Sequence, residues 1–159
     1  MKVALRVARL NVDRGTGGPF GAAIFDASGV LVAVGMNLVV SSHNSTLHAE
    51  MVAFQMAEAR LGTHDLGPGR HELFTSCEPC AMCLGATLWS GVSRLVCSAA
   101  GEDALAIGFD EGPVFLDSYR YLEERGISVV RRFLQAEGKA VLDDYAARGG
   151  TIYNAVRGG

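Results

Sequence analysis

The chain has 159 residues, of which 14 are basic and 17 acidic, and its net charge is −3. A chain of this length can bury a core without disulfides or a structural metal. No Lys/Arg run exists beyond Arg131-Arg132, which argues against a nucleic-acid partner, and no apolar stretch approaches the roughly 18 residues that favour a membrane span.

Hydrophobic residues make up 49% of the chain and charged residues only 19%, against roughly 25% in an average domain. This composition favours an oligomer that hides the extra apolar surface. The amphipathic start, "MKVALRVARLNVDRG", is not a signal peptide. Three of the four cysteines crowd into residues 77–83, which is no disulfide framework. Free thiols predict a reducing, cytoplasmic location.

Hydrophobic spacing predicts the first elements. Val3, Val7 and Leu10 recur at helical intervals, so the N-terminal stretch is expected to be a helix. The next segment, "GTGGPFG", follows a helix and precedes a strand, which is the reverse of a phosphate-binding loop, so we interpret it as a turn. Residues 20–37 predict two strands joined by a hairpin at residues 27–29.

The second half of the chain alternates between strands and helices. "STLHAEMVAFQMAEARLG" predicts a helix with Leu47, Met51, Val52 and Phe54 on one stripe, and Gly62 marks its C-terminal end. "HELFTS" is the third strand.

Pro79 is expected at the first position of a helix that runs to about Ser90. "SRLVCSAA" and "GISVV" predict strands four and five. Helices over 116–125 and 133–148 complete the pattern. We therefore expect a single domain over residues 1–159, a three-layer α/β/α sandwich around a mixed five-stranded sheet.

Two short motifs indicate a metal site. His48 and Glu50 lie in "HAE", and Cys80 and Cys83 lie in "PCAMC". Imidazole and thiolate are zinc ligands, and a catalytic zinc site uses three protein ligands and keeps a fourth position open. Residues three apart on a helix share a face, so Cys80 and Cys83 can hold one ion. Glu50, two residues after His48, is placed to take a proton from water at the metal.

Cys77 offers an alternative pairing. It precedes Pro79 and does not share the helical face of Cys80 and Cys83, which favours these two as ligands and Cys77 as a neighbouring thiol. The pairing of Cys77 with Cys80 stays open at this point. Buried thiols without a metal are the third alternative. Cys97 stands alone in a strand and is expected in the core.

The combination of "HAE" and "EPCAMC" matches the H-x-E…P-C-x-x-C signature of zinc-dependent nucleobase deaminases. From Phe20 to Val130 at least, the chain resembles the cytidine-deaminase fold. The segments "GGPFGAAIF", "TSCEPCAMCLGA", "LWSGV" and "AIGFDEGP" resemble the bacterial guanine deaminase branch. That resemblance implies a Zn²⁺ cofactor, a small nucleobase substrate and a homodimer. It also implies that residues 149–159, with Tyr153, can cross to the partner's site.

The resemblance also suggests residue roles. Glu50 would be the general acid and base. Asn37 would bind the base, although a turn-forming asparagine is the simpler alternative. Phe20, Ala49 and Trp89 complete the implied substrate-binding set, with core packing as the alternative for Phe20 and Trp89.

A second carboxylate is useful for guanine because one glutamate must serve both the ring nitrogen and the departing amine. We favour Glu111 for this role, with Asp103 and Asp110 as alternatives. The sequence thus predicts hydrolytic deamination of guanine to xanthine and ammonia. The alternatives are the same reaction on ammeline, guanosine, a pterin, cytosine or transfer-RNA adenosine, or a binding module without turnover.

Overall fold

The computed structural model describes residues 1–154, which form one five-stranded sheet with helices on both faces. The strands are β1 (Gly21–Phe25), β2 (Leu31–Met36), β3 (Glu72–Cys77), β4 (Arg94–Ala99) and β5 (Ser128–Val130). The helices are α1 (Lys2–Arg14), α2 (Ala49–Leu61), α3 (Ala81–Ser90), α4 (Gly101–Ala106), α5 (Leu116–Glu124) and α6 (Gln135–Ala147).

The sheet is mixed, with the order β2-β1-β3-β4-β5. β1 is antiparallel to both β2 and β3, whereas β3, β4 and β5 are parallel. The turn between β1 and β2 closes through Gly29, whose positive φ of 80° suits glycine, and its N–H donates to the carbonyl of Asp26. The predicted hairpin is confirmed.

Two hydrophobic clusters fill the space between the layers. One joins the sheet to α2, α3 and α5, and the other joins it to α1, α4 and α6. The predicted three-layer α/β/α sandwich is confirmed. Among the described residues, no helix has both the length and the apolar character needed to cross a bilayer.

Close packing of α2 against β2 sets the position of the site. A Cβ atom at Gly35 in β2 would collide with the carbonyl oxygen of Ala49, the first residue of α2. Glycine at this position therefore lets the start of α2 approach the sheet.

Helix starts differ from the predictions by two to four residues. α2 begins at Ala49, because Leu47 is used in a turn in which its N–H donates to Asn44 and its carbonyl accepts from Leu38. α3 begins at Ala81 instead of Pro79, and the Ala81 N–H donates to the carbonyl of Glu111 at 3.0 Å. This partner is thirty residues away in sequence, so the pattern around Pro79 could not reveal it.

Two further details were wrong. The last helix begins at Gln135 instead of Phe133, whose N–H donates to the carbonyl of Cys97 and so extends the sheet contacts. The six-residue helix α4 was not predicted, because a segment of that length is too short to show helical periodicity.

Candidate metal centre and active site

The ends of two helices meet beside the end of β3. His48 is the N-cap residue of α2 and Cys80 is the N-cap residue of α3, both with extended backbone. Cys83 lies in the first turn of α3. Helix N-termini carry partial positive charge, which stabilises thiolates placed there. The fold therefore brings three metal-binding side chains together from two motifs that are far apart in sequence.

The geometry of these donors fits zinc. The Nδ1 atom of His48 lies 3.4 Å from the Sγ atom of Cys80. Ligand atoms at zinc–nitrogen and zinc–sulfur bond lengths are about 3.6 Å apart in a tetrahedral site. The donor atoms of His48, Cys80 and Cys83 all lie within 4.8 Å of one another. These three residues could hold one zinc ion and leave a fourth position open.

Electrostatics favour one thiolate in this cluster even before a cation is added. A hydrogen bond from Cys83 lowers the pKa of Cys80 to about 4, and His48 contributes in the same direction. The same hydrogen bond and burial raise the pKa of Cys83. A cation would draw the second proton away, since zinc binds thiolates.

Cys77 lies outside the donor cluster. Its thiol is buried at the end of β3 and donates to the carbonyl of Ala100 at 3.6 Å. Burial raises its pKa well above the usual range, so it remains a thiol. Cys97 is likewise buried, in the cluster under α2 and α3. The structure therefore groups Cys80 with Cys83 and gives Cys77 a packing role.

Glu50 is buried beside the donor cluster. One carboxylate oxygen accepts a hydrogen bond from Thr75 Oγ1 at 3.1 Å, and the other lies 3.5 Å from Cys83 Sγ. Burial raises the pKa of Glu50, and the Cys80 thiolate adds to this effect. An acid–base catalyst must both accept and return a proton, and a raised pKa makes a carboxylate a better proton acceptor.

A cavity of about 200 Å³ opens in front of Glu50. It is the size expected for a small planar ring. Its walls carry a metal-binding edge, acidic groups and aromatic rings. The lining residues are Phe20, Asn37, Val39, Ser45, His48, Glu50, Glu78, Cys80, Phe109, Asp110, Glu111, Tyr153 and Asn154.

Asn37 presents an unused donor to this cavity. Its Oδ1 atom accepts from the N–H groups of Gly18 and Val39, at 3.4 and 3.3 Å, which fixes the amide. Its Nδ2 atom is buried and has no hydrogen-bond partner. A buried donor without a partner is costly, so a ligand that supplies an acceptor is favoured here. The glycine-rich turn over residues 15–21 thus orients Asn37.

Aromatic rings form one wall of the cavity. Phe20 meets Phe109 edge to face at 5.0 Å, and Phe109 lies 5.0 Å from the ring of Tyr153. Tyr153 also approaches His48, at 6.5 Å between ring centroids. The described part of the C-terminal segment therefore lies over the site of its own chain. Residues 155–159, the rest of the segment predicted to exchange, lie outside the described residues.

Glu111 is the second carboxylate in the cavity. Burial raises its pKa to about 8, and the nearby Cys80 thiolate and Glu50 act in the same direction. Asp110 also lines the cavity, and one of its oxygens accepts from the N–H of Gly112. Asp103 instead accepts from the Ala100 N–H and from Gln135, and so caps α4 away from the cavity.

Two residues of the predicted substrate-binding set lie elsewhere. Trp89 is 82% exposed on the outer side of α3 and borders a groove between α2 and α3. It does not line the cavity of its own chain, so the structure gives no support for its assignment to the base pocket. The side chain of Ala49 is buried against β2, and only its backbone N–H, in the first turn of α2, remains available.

Sequence reasoning missed five residues of the cavity: Val39, Ser45, Glu78, Phe109 and Asn154. Phe109 is buried between the rings already described, and "GFDEGP" contains it next to the acids that were considered. Glu78 lies inside the cysteine motif. Asn154 reaches back to accept from the Asp110 N–H at 2.9 Å and to donate to the Gly108 carbonyl at 2.7 Å. No local pattern signals such long-range contacts.

Comparison with known proteins agrees with this site. Residues 1–99 match the family described as the cytidine and deoxycytidylate deaminase zinc-binding region. The chain is 39% identical to guanine deaminase of Bacillus subtilis over 127 residues, which is 80% of each chain.

Solved structures are also similar. NE0047 in complex with 2,6-diaminopurine superposes with a TM-score of 0.90 and 46% identity, over 96% of this chain and 82% of that one. Guanine deaminase from Nitrosomonas europaea gives a TM-score of 0.88 and 45% identity, over 92% and 82%. The family match covers more than half of the chain and spans both motifs of the donor cluster, and the chain therefore belongs to the zinc-dependent cytidine and deoxycytidylate deaminase family.

Proposed function

We propose that the protein hydrolyses guanine to xanthine and ammonia. In this reaction a water oxygen bonds to C2 of the ring, the bond from C2 to the exocyclic amine breaks, and the water protons leave on the ring nitrogen and the amine. The observation that carries the proposal is the cavity itself, in which Glu50 and Glu111 face a base-sized space beside His48, Cys80 and Cys83. The similarity to guanine deaminases supports the choice of substrate.

The metal donors and Glu50 have separate roles in this reaction. Zinc in such a donor set lowers the pKa of a water ligand and so supplies the nucleophile. Glu50 takes the proton of the attacking water and returns it to the ring nitrogen. Its bond to Thr75 keeps the carboxylate aimed at the cavity. Positioned acid–base groups of this kind contribute about 10²–10⁴-fold in rate.

Asn37 and the aromatic wall hold the ring. The unpartnered Nδ2 atom of Asn37 donates to an acceptor of the base, which satisfies the buried amide. Phe20 and Phe109 offer apolar surface to a planar ring. Glu111, which holds its proton near neutral pH, gives it to the departing amine and regains a proton from the hydroxyl group on C2 as the carbonyl of xanthine forms.

Ammonia release from a panel of bases tests the substrate. The panel is guanine, guanosine, ammeline, a pterin, cytosine and a transfer-RNA anticodon stem, each with the zinc-loaded protein. We expect the highest kcat/KM for guanine. A higher kcat/KM for another member would identify that compound as the substrate. If no member releases ammonia, the protein is a zinc-binding module without turnover. The Glu50→Gln variant controls for background hydrolysis.

We also propose a cytoplasmic homodimer formed by the outer side of α3. That helix has the sequence AMCLGATLWS, without a charged side chain, and its exposed Trp89 and half-buried Met82, Gly85 and Ala86 line a groove. None of the four cysteines forms a disulfide, as expected in a reducing compartment. Sedimentation of Trp89→Arg against the unchanged chain tests the dimer: we expect a monomer, and an unchanged sedimentation coefficient would contradict this face.

Within the dimer we further propose that residues 1–159 act as one catalytic unit. The C-terminal segment of residues 149–159 would cover a site either in its own chain or in the partner. Mixing an inactive Glu50→Gln chain with a chain truncated before Thr151 distinguishes these arrangements. A KM of the mixture that returns to the value of the unchanged protein supports exchange, because only an exchanged segment can complete an intact site in the truncated chain.

A further inference from the structure

Glu78 occupies an unusual place for a carboxylate. It lies between the end of β3 and Pro79, two residues before Cys80, and its side chain is only 5% exposed. Its backbone N–H donates to the carbonyl of Ala99 at 2.8 Å, which extends the pairing of β3 with β4. That backbone bond does not require a charged side chain. The buried carboxylate therefore needs another explanation.

Arg131 satisfies this carboxylate with a two-pronged contact. Its Nε atom donates to Glu78 Oε1 at 2.7 Å and its Nη2 atom donates to Oε2 at 3.0 Å. The Gly101 N–H adds a third bond, to Oε2 at 3.0 Å. The guanidinium group lies over the ring of Tyr119, 4.4 Å from its centroid. Paired, stacked arginines of this kind hold a fixed geometry that lysine cannot reproduce.

These contacts link four segments around the metal-binding turn. Glu78 comes from the turn between β3 and α3, Arg131 follows β5, Gly101 begins α4 and Tyr119 lies in α5. Glu78 also lines the cavity that contains Glu50 and Glu111. The Arg131 charge thus offsets one of the acidic groups of that cavity, at the turn from which the Cys80 thiol extends.

We propose that Glu78 and Arg131 are a positioning pair, which fixes the turn that carries Cys80 and thereby controls how firmly zinc is retained. Neither residue binds the metal. The pair acts through Cys80, whose Sγ atom must keep its place 3.4 Å from His48 Nδ1. Groups that orient metal ligands in this way typically contribute about 10- to 100-fold in metal affinity.

The test measures zinc release into a coloured chelator from the zinc-loaded, full-length protein. Arg131→Met removes both the two-pronged hydrogen bonding to Glu78 and the positive charge. The double variant Glu78→Gln/Arg131→Met removes both charges, so that no unpaired carboxylate is left buried. Arg131→Lys keeps the positive charge but cannot form the two-pronged contact. Arg132→Met is the matched control, because Arg132 is half-exposed and pairs with the exposed Glu102.

We expect release about 10- to 100-fold faster from Arg131→Met and from the double variant, and an intermediate increase from Arg131→Lys. The Arg132→Met control should keep the unchanged rate. Cobalt-substituted protein gives a second readout, since altered thiolate geometry changes its visible spectrum.

Thermal unfolding separates positioning from stability. If Arg131→Met does not fold, the double variant and Arg131→Lys decide the question. A folded double variant that releases zinc at the unchanged rate would overturn the proposal and reduce the pair to an ordinary ion pair. If Arg131→Lys releases zinc at the unchanged rate, the two-pronged contact does not hold the turn.

Discussion

The carboxylate of Glu50 touches the thiol of Cys83, with 3.5 Å between Oε2 and Sγ. The proposed proton carrier and a proposed metal ligand are thus neighbours, although 33 positions separate them in sequence. Thr75 holds the other oxygen of the carboxylate from the central strand β3. Sheet and helix together place the base beside the donor cluster of His48, Cys80 and Cys83.

Glu50→Gln should keep its zinc and lose turnover by about 10²–10⁴-fold, because an amide of the same shape cannot carry a proton. Steady-state rates and elemental analysis of the same sample check both parts. Glu58→Gln, on the same helix outside the cavity, is the control and should retain full activity. A Glu50→Gln protein with more than a tenth of the original rate would refute the assignment.

Titration of Glu111 should appear in the pH dependence of kcat as a decline at alkaline pH. Its pKa is raised to about 8, so the protonated acid that donates to the leaving amine persists at neutral pH and is lost above that value. We expect kcat to fall as the pH rises through about 8. Glu111→Gln should be slow throughout and lack this decline, with unchanged zinc content. An active Glu111→Gln enzyme would contradict the guanine-type mechanism.

The same pKa predicts an effect on stability. The folded chain binds a proton at Glu111 that the unfolded chain releases above its usual carboxyl pKa. Stabilisation from this proton is therefore complete below about pH 4 and declines as the pH rises toward 8. Denaturant titrations across this range should show a smaller decline for Glu111→Gln than for the unchanged protein, and parallel curves would contradict the shift.

Cysteine variants test the ligand set. Cys83→Ala should lose zinc, since a donor of the cluster is removed, whereas Cys77→Ala should retain about one ion per chain. Cys77→Ala should instead cost about 1–2 kcal/mol of unfolding free energy, the order expected for a small buried group. Metal analysis of both variants after gel filtration shows which of the two cysteines is a ligand. An empty Cys77→Ala protein together with a filled Cys83→Ala protein would reverse the assignment.

The C-terminal contacts should matter for substrate binding. Truncation before Thr151 removes Tyr153 and both hydrogen bonds of Asn154, which connect the tail to the loop next to Glu111. At about 1 kcal/mol for each bond, we expect KM to rise roughly 10- to 30-fold with little change in thermal unfolding. Truncation after Asn154 keeps these contacts and serves as the control. Equal KM values for the two truncations would exclude this role.

The sequence was informative where chemistry is local. Strand and helix order follows from periodicity, and the two short motifs predict that His48, Glu50, Cys80 and Cys83 lie in one site. The start of α3 was not readable, because it depends on a hydrogen bond between Ala81 and the distant Glu111 carbonyl. Helix boundaries shift when a tertiary partner satisfies an end group that local sequence leaves open.

Long-range packing accounts for the remaining differences. Phe109 belongs to the cavity because the loop after α4 brings its ring against Phe20, the residue before β1. Glu78 was not predicted, because its burial depends on an ion pair with Arg131, 53 positions later in the sequence. Trp89, which the resemblance places near the base, is exposed on the outer side of α3 and does not line the cavity of its own chain. Periodicity identifies a helix more reliably than the direction of a single side chain.

The outward position of Trp89 has a spectroscopic consequence. It is the single tryptophan of the chain, so indole fluorescence reports on the outer side of α3 and not on the base cavity. An indole in water emits at longer wavelength than one packed against protein. Emission that shifts to shorter wavelength as the protein is concentrated would therefore record burial of this side chain between subunits, without any added label.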